Sequence, residues 1–355
     1  MAAWAWLIPA LSLALLAGAI VAGVGAFLAV LSGVGLIGAV ITAVHHAEVV
    51  AHRVGEPFGT LVLAVAVTVI EASLILSMMF AGGVDTASLP RDTIYAAVMI
   101  ICNGVVGLCV LVGGLKHREQ TFRVEGAGAG LAALIVMSAL TLVLPTFTTS
   151  TPGGTLSGSQ LVFVAVASSV LWAIFVFIQT VRHRDYFIPA ADPANPEVHA
   201  QPPTLLAAWG SFGLLLVSLV AVVGLAKMLS PTIERAVAAV GAPRAVIGIV
   251  IAMLVLLPET WAAARAARAD RLQTSMNLAV GSALASIGLT VPVVVLASIG
   301  FGLPLTLGLE PKALVMLGVT FLVSTVTLGT GRTHMMQGAV HLVLFAGFLF
   351  LALVP

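Results

Sequence analysis

The chain has 355 residues, 60% of them hydrophobic and only 8% charged, where a soluble domain carries about 25% charged residues. That composition excludes an ordinary soluble enzyme, and a formal net charge of +1 gives no electrostatic footprint for a nucleic acid. Both cysteines, Cys102 and Cys109, fall in one apolar run and read as small buried residues, not as a disulfide or metal pair.

Apolar runs bounded by charges or Pro/Gly clusters predict an all-α integral membrane protein with eleven spans, at 5–24, 26–47, 57–82, 92–115, 127–146, 160–181, 204–228, 244–264, 273–300, 311–331 and 334–354. The first lacks a basic flank and is expected to span the membrane, not to be a cleaved signal peptide. The longest polar connection is 182–203, RHRDYFIPAADPANPEVHAQPP, a Pro-rich linker between halves. Loops on the N-terminal side carry Arg53, Lys116, Arg118, Arg123, Arg182, Arg184, Arg265, Arg268, Arg271 and Arg332; the other side carries Arg91, Lys227, Arg235, Arg244 and Lys312. The positive-inside bias predicts a cytoplasmic N-terminus and an outside C-terminus.

Setting the first span aside leaves five spans on each side of the linker. The expected division is an extra helix over 1–25, a five-helix repeat over 26–181, a cytoplasmic linker over 182–203 and a second repeat over 204–355. Because five is odd, the repeats have opposite topology, an arrangement common in secondary transporters.

The third span, PFGTLVLAVAVTVIEASLILSMMFAGGV at 57–84, holds one deep ionisable residue, Glu71. The eighth, AVIGIVIAMLVLLPETWAAA at 245–264, also holds one, Glu259. A charge at the bilayer centre costs about 2.5 kcal/mol or more, so such a group turns inward and pairs, binds a cation or stays protonated. Each glutamate span is followed by one with unusual polar content: Asn103 after Glu71, and Asn277, Ser282 and Ser286 after Glu259. Thr68 lies three residues before Glu71 on the same helical face. Pro258 precedes Glu259 and frees a carbonyl about four residues back. Oxygen-rich surroundings with two carboxylates suit a hard cation such as Ca²⁺, which takes about six to eight oxygens. The bland readings stand beside these. Either glutamate can be a structural carboxylate, either asparagine interhelical glue, and either serine a small packing residue.

Other polar groups lie at span edges, where the histidines are also expected. Glu56 either favours a helix N-terminus next to Pro57 or gates the cytoplasmic mouth and gives protons access. His45, Glu48 and His52 share one face and read as a solvated helix end, a metal site or a proton relay; the HExxH pattern is absent. Arg265, Arg268 and Arg271 suit anchoring to anionic membrane lipid. No Walker A motif is present, so ATP is not an expected partner.

GEPFGTLVLAVAVTVIEASLI at 55–75 and LLPETWAAARAARADRLQTSMNLAVGSALASIGLTVP at 256–292 resemble the two alpha-repeats of bacterial calcium/proton antiporters of the ChaA type, in the cation/calcium antiporter superfamily. The resemblance covers nearly the whole chain. It implies two inverted five-helix repeats plus one N-terminal helix, and exchange of a cytoplasmic cation for protons with Glu71 and Glu259 as shared ligands. The acidic segment that often separates the halves of more distant exchangers is reduced here to Asp185, Asp192 and Glu197, so no regulatory cation site is placed there.

The expectation is therefore a secondary antiporter of a bacterial inner membrane, without cofactor. It would exchange Ca²⁺, with Na⁺ or K⁺ as the other candidates, for H⁺. An intramembrane enzyme would need a nucleophile–base pair or an aspartate dyad within the spans; a cation channel would show flux without proton coupling.

Overall fold

The computed structural model describes residues 3–23, 25–55, 58–81, 86–188, 203–239, 241, 243 and 245–354. Eleven helices follow the expected spans. They are α1 Ala3–Ala22, α2 Ala26–Val54, α3 Phe58–Ala81 and α4 Leu89–His117. Then come α5 Val124–Phe147, α6 Gly158–Arg182, α7 Leu205–Ala239 and α8 Ala245–Arg268. The last three are α9 Leu272–Phe301, α10 Pro311–Leu328 and α11 Met335–Leu353. Among the described residues ten are long and apolar enough to cross a membrane; α3 contributes the apolar stretch Ala64–Phe80. Large apolar side chains such as Phe27, Leu206, Val343 and Trp261 are more than two-thirds exposed, which suits a surface solvated by lipid. The protein is a multi-pass membrane protein.

Some helix ends differ from the expected spans. Helix α2 runs past residue 47 through the histidine segment to Val54. Nothing in that segment breaks a helix until Gly55, which takes φ +79 and donates its N–H to Ala51 O at 2.9 Å. Helix α7 likewise continues beyond residue 228, through Pro231, to Ala239. Three helices contain π-helical turns, at Ile100–Val105, Ala139–Val143 and Ile178–Arg182.

The chain forms two compact units. The first, Met1–Thr86 with Ala191–Ile247, is built around α2, which packs on α1, α3 and α7. Hydrogen bonds join its helices. Ser12 donates to Gly35 O at 3.0 Å, and the Thr42 and Ser218 hydroxyls meet at 3.4 Å.

The second unit, Ala87–Ala190 with Gly248–Pro355, is built around α9, which packs on α4, α5 and α6. Helices α4 and α11 pack at backbone distance. A Cβ on Gly107 would stand 3.1 Å from Leu342 N, and one on Gly338 would stand 2.8 Å from Gly107 O, so only glycine allows this approach. Strands β1 Glu119–Thr121 and β2 Arg332–His334 pair antiparallel, with Gln120 opposite Thr333.

That small sheet closes one end of the unit. Gln120 Nε2 donates to Ala267 O and to Asp270 Oδ1, both at 2.8 Å, and Lys116 and His117 reach Arg268 O, each at 3.0 Å. These donors satisfy carbonyls that the end of α8 leaves without helical partners. At the other end Thr306 N donates to Ala87 O at 2.9 Å, Gly308 N to Gly154 O at 2.8 Å and Arg91 Nη1 to Gly308 O at 3.0 Å. The loops between α4 and α5, α8 and α9, and α10 and α11 therefore meet one another. Those before α4, between α5 and α6, and between α9 and α10 meet separately, as alternation across a membrane requires.

Candidate functional site

Glu71 lies on α3 and is 4% exposed, as is Thr68 one turn before it. The Thr68 hydroxyl donates to Ala64 O at 2.8 Å within its own helix, which leaves its oxygen lone pairs for another partner.

Glu259 lies on α8, half-buried, and the helix runs unbroken through Pro258. Proline has no N–H, so the Leu254 carbonyl one turn back receives no helical bond from it. Across to α9, Ser282 Oγ donates to Glu259 Oε2 at 2.5 Å. Ser286 follows one turn along α9 and is 3% exposed. The structure thus brings Glu259 and Ser282 together in the second unit. A carboxylate accepts through two oxygens, about four lone-pair sites in all, and a cation or a proton binds through the same oxygens.

Asn103 is fully buried in the π-helical turn Ile100–Val105 of α4. Its Nδ2 donates to Thr320 Oγ1 of α10 at 2.9 Å, and its Oδ1 lies 3.2 Å from His341 Nδ1 of α11. His341 Nε2 in turn lies 3.1 Å from Thr327 Oγ1. The amide therefore joins three helices, while one carbonyl lone pair stays available.

Asn277 sits elsewhere. Its Nδ2 donates to Phe187 O at 2.5 Å, and its Oδ1 accepts from Gln273 Nε2 at 2.8 Å; Gln273 Oε1 accepts from Arg123 N at 2.6 Å. Asn277 thus ties α9 to the chain beyond α6, and Gln273 beside it ties α9 to the start of α5.

The histidine face divides. His45 packs beside Trp4, with ring centroids 4.7 Å apart and the planes tilted by 49°; Glu48 is half-buried and His52 exposed. Among the described residues no three His, Cys, Asp or Glu side chains form a group able to hold a metal, so a metal site on this face has no support there. Glu56 lies outside the described residues.

One expectation is overturned. The histidines are not confined to span edges: His341 and His46 are 0% exposed, inside α11 and α2. An ionisable residue inside a spanning segment was the signal for His341; its place one-third of the way along the helix makes it look like an edge residue in sequence. The buried Asp92, in the first turn of α4 with its Oδ1 2.8 Å from Arg91 Nε, was likewise not singled out.

Comparison with known proteins places the chain. The family model described as sodium/calcium exchanger protein matches residues 24–181 and 210–354. The chain is 48% identical over 362 aligned positions to the putative ionic transporter y4hA of Sinorhizobium fredii, covering 99% of this chain and 96% of that protein. It is 35% identical to the sodium-potassium/proton antiporter ChaA of Escherichia coli, covering 89% of this chain and 86% of that one. Among solved structures it resembles the H⁺/Ca²⁺ exchanger CAX, with a TM-score of 0.75, 16% identity and coverage of 98% and 87% of the two chains. With both halves matched by one family model, the chain belongs to the sodium/calcium exchanger protein family.

Proposed function

We propose that this protein is a secondary-active antiporter that exports a cytoplasmic inorganic cation in exchange for protons. The relatives support the reaction class: one is named a sodium-potassium/proton antiporter and another an H⁺/Ca²⁺ exchanger. Proton exchange is common to both, and the cation is where they differ. Ca²⁺ is the first candidate here, because two carboxylates balance one divalent ion or two protons; Na⁺ and K⁺ are the alternatives.

The observation that carries the reading is Glu259 on a membrane-length helix, hydrogen-bonded to Ser282 of the next helix, with Glu71 buried on α3 as its counterpart. In this reading both glutamates bind cation and proton in turn. Ser282, Ser286 and Thr68 add hydroxyl oxygens, Asn103 its free carbonyl lone pair, and Leu254 the carbonyl freed by Pro258. Asn277 belongs to the packing of one end of the second unit. If the protein reorients only when the carboxylates are neutralised, by cation or by protons, exchange is obligatory.

The repeats proposed over 26–181 and 204–355 gain support from the family match, which falls in two blocks at 24–181 and 210–354 and leaves out the first helix and the linker. The basic loops favour a cytoplasmic N-terminus in a bacterial inner membrane.

The test uses inside-out vesicles acidified around a trapped pH dye, with CaCl₂, NaCl or KCl added separately. Dequenching with one salt, lost in Glu71→Gln and in Glu259→Gln, is expected. No dequenching with any salt, from inserted and folded protein, would overturn the proposal.

A further inference from the structure

His341 has no role in the exchange cycle just described, yet it is an ionisable side chain enclosed within the apolar helix α11. It is 0% exposed, and its Cβ packs against Gly107 of α4, where any larger residue would collide with it. Four polar side chains form one chain around it: Thr327, His341, Asn103 and Thr320, each 2% exposed or less.

The direction of this chain is set at the imidazole. A proton on Nδ1 donates to Asn103 Oδ1, while Nε2 accepts from the Thr327 hydroxyl. Asn103 Nδ2 then donates to Thr320 Oγ1, and the Thr320 hydroxyl points to Met99 Sδ at 3.5 Å. Every donor in this order has an acceptor. Turning the Asn103 amide over would set its N–H₂ against the Nδ1–H of His341, donor against donor. The amide could turn only if the imidazole proton moved to Nε2. Imidazole tautomer and amide orientation are therefore locked together.

The locked amide sits in the π-helical turn of α4, and that turn packs on α9, the helix that carries Ser282. Turns of this kind interrupt the regular helical hydrogen bonds and gather at functional sites. A cation needs the carbonyl end of an amide and is repelled by its amino end.

We infer that His341 is a positioning residue for cation exchange: through its Nδ1–H it holds the carbonyl end of Asn103 and the π-helical turn in the orientation that a cation requires. This rests on the antiporter reading above.

Asparagine places its amide nitrogen near the Nδ1 of histidine, and glutamine places its own near Nε2. The two substitutions therefore separate the two bonds. Wild type, His341→Asn, His341→Gln and His341→Leu are reconstituted, and half-saturating concentration and maximal rate are measured with whichever of Ca²⁺, Na⁺ or K⁺ the wild type exchanges. We expect His341→Leu and His341→Gln to raise the half-saturating concentration about tenfold, the order of one lost buried hydrogen bond, with the maximal rate within about twofold. His341→Asn recovers most of the lost affinity. Adding Asn103→Ala to His341→Leu worsens affinity less than Asn103→Ala does in the wild type, since His341→Leu has already released the amide that the second change removes.

A residue that serves only packing would lower thermal stability without separating Asn from Gln. Equal affinities for His341→Asn and His341→Gln therefore overturn the inference, even if His341→Leu fails to fold. If the wild type exchanges no cation, the antiporter reading falls and takes the inference with it. If the wild type is active and His341→Leu keeps its affinity, the inference alone falls.

Discussion

Ser282 on α9 donates its hydroxyl proton to the Glu259 carboxylate on α8 at 2.5 Å. The bond fixes one carboxylate oxygen, Oε2, against α9. Ser282→Ala should raise the half-saturating cation concentration roughly three- to tenfold, as expected for about 1 kcal/mol from one hydrogen bond. Ser282→Thr keeps the hydroxyl and should stay close to wild type. Cation titrations of dye-loaded vesicles distinguish the two; equal loss in both would point to steric packing at this position.

Glu259→Asp tests position rather than charge. It keeps the carboxylate but withdraws it by one methylene from Ser282 Oγ. Exchange should fall at least about tenfold, since reacting groups misplaced by an ångström lose that much or more, while Glu259→Gln abolishes it. Both variants should insert at close to wild-type levels, because Gln is neutral and Asp carries the same charge as the Glu it replaces. Transport and membrane yield measured on the same preparations separate loss of chemistry from loss of protein.

The α4–α11 contact gives a stability prediction. A Cβ at Gly338 would approach Gly107 O to 2.8 Å and press on the Leu111 backbone. Gly338→Ala should cost about 1–3 kcal/mol, the range for overpacked sites. Gly128 on α5 has nothing within 4 Å of its would-be Cβ, so Gly128→Ala should be neutral or slightly stabilising. Thermal unfolding in detergent should rank the variants in that order; the reverse order would mean that α4 and α11 do not pack at backbone distance.

Much of this was legible in the sequence, for identifiable reasons. Membrane spans are set by the length of apolar runs, so all eleven helices appear near their expected places. Their ends were less legible, because a helix stops where a particular residue leaves the helical region, as Gly55 does at φ +79, and not where polarity rises. Glu259 and Ser282 were both candidates because carboxylates and hydroxyls inside apolar runs demand partners. Which partner each takes is a matter of tertiary contact. Asn277 bonds to Phe187, 90 residues away, and Asn103 to His341, 238 residues away. No local pattern encodes such pairings, so Asn277 stood as either ligand or interhelical glue and His341 looked like an edge residue.

Gln120 illustrates the same point at the end of the second unit. Its sequence context, a short polar loop, suggests nothing, yet its side chain is 2% exposed and donates to Ala267 O and Asp270 Oδ1. Gln120→Ala strips these acceptors near the end of α8 and should destabilise the protein by about 1–3 kcal/mol. Gln120→Glu removes both amide donors and sets a carboxylate beside Asp270, so it should be worse than alanine. Unfolding temperatures in detergent should fall in the order wild type, alanine, glutamate.

The last prediction concerns His46, whose role follows from a proline 37 positions earlier. Pro9 lies inside α1 and has no N–H, so the Ala5 carbonyl one turn back is left without its helical donor. His46 Nε2, fully buried on α2, reaches that carbonyl at 2.9 Å. The imidazole supplies what the proline withholds and pins α1 to α2. His46→Leu keeps the apolar bulk but leaves the carbonyl unpaired, and should cost about 1–3 kcal/mol. In a Pro9→Ala background the backbone N–H of residue 9 takes the carbonyl instead. There the same His46→Leu change should cost markedly less, a coupling that a double-mutant cycle of thermal unfolding measures directly. An equal cost in both backgrounds would mean that His46 stabilises the helix pair by packing alone.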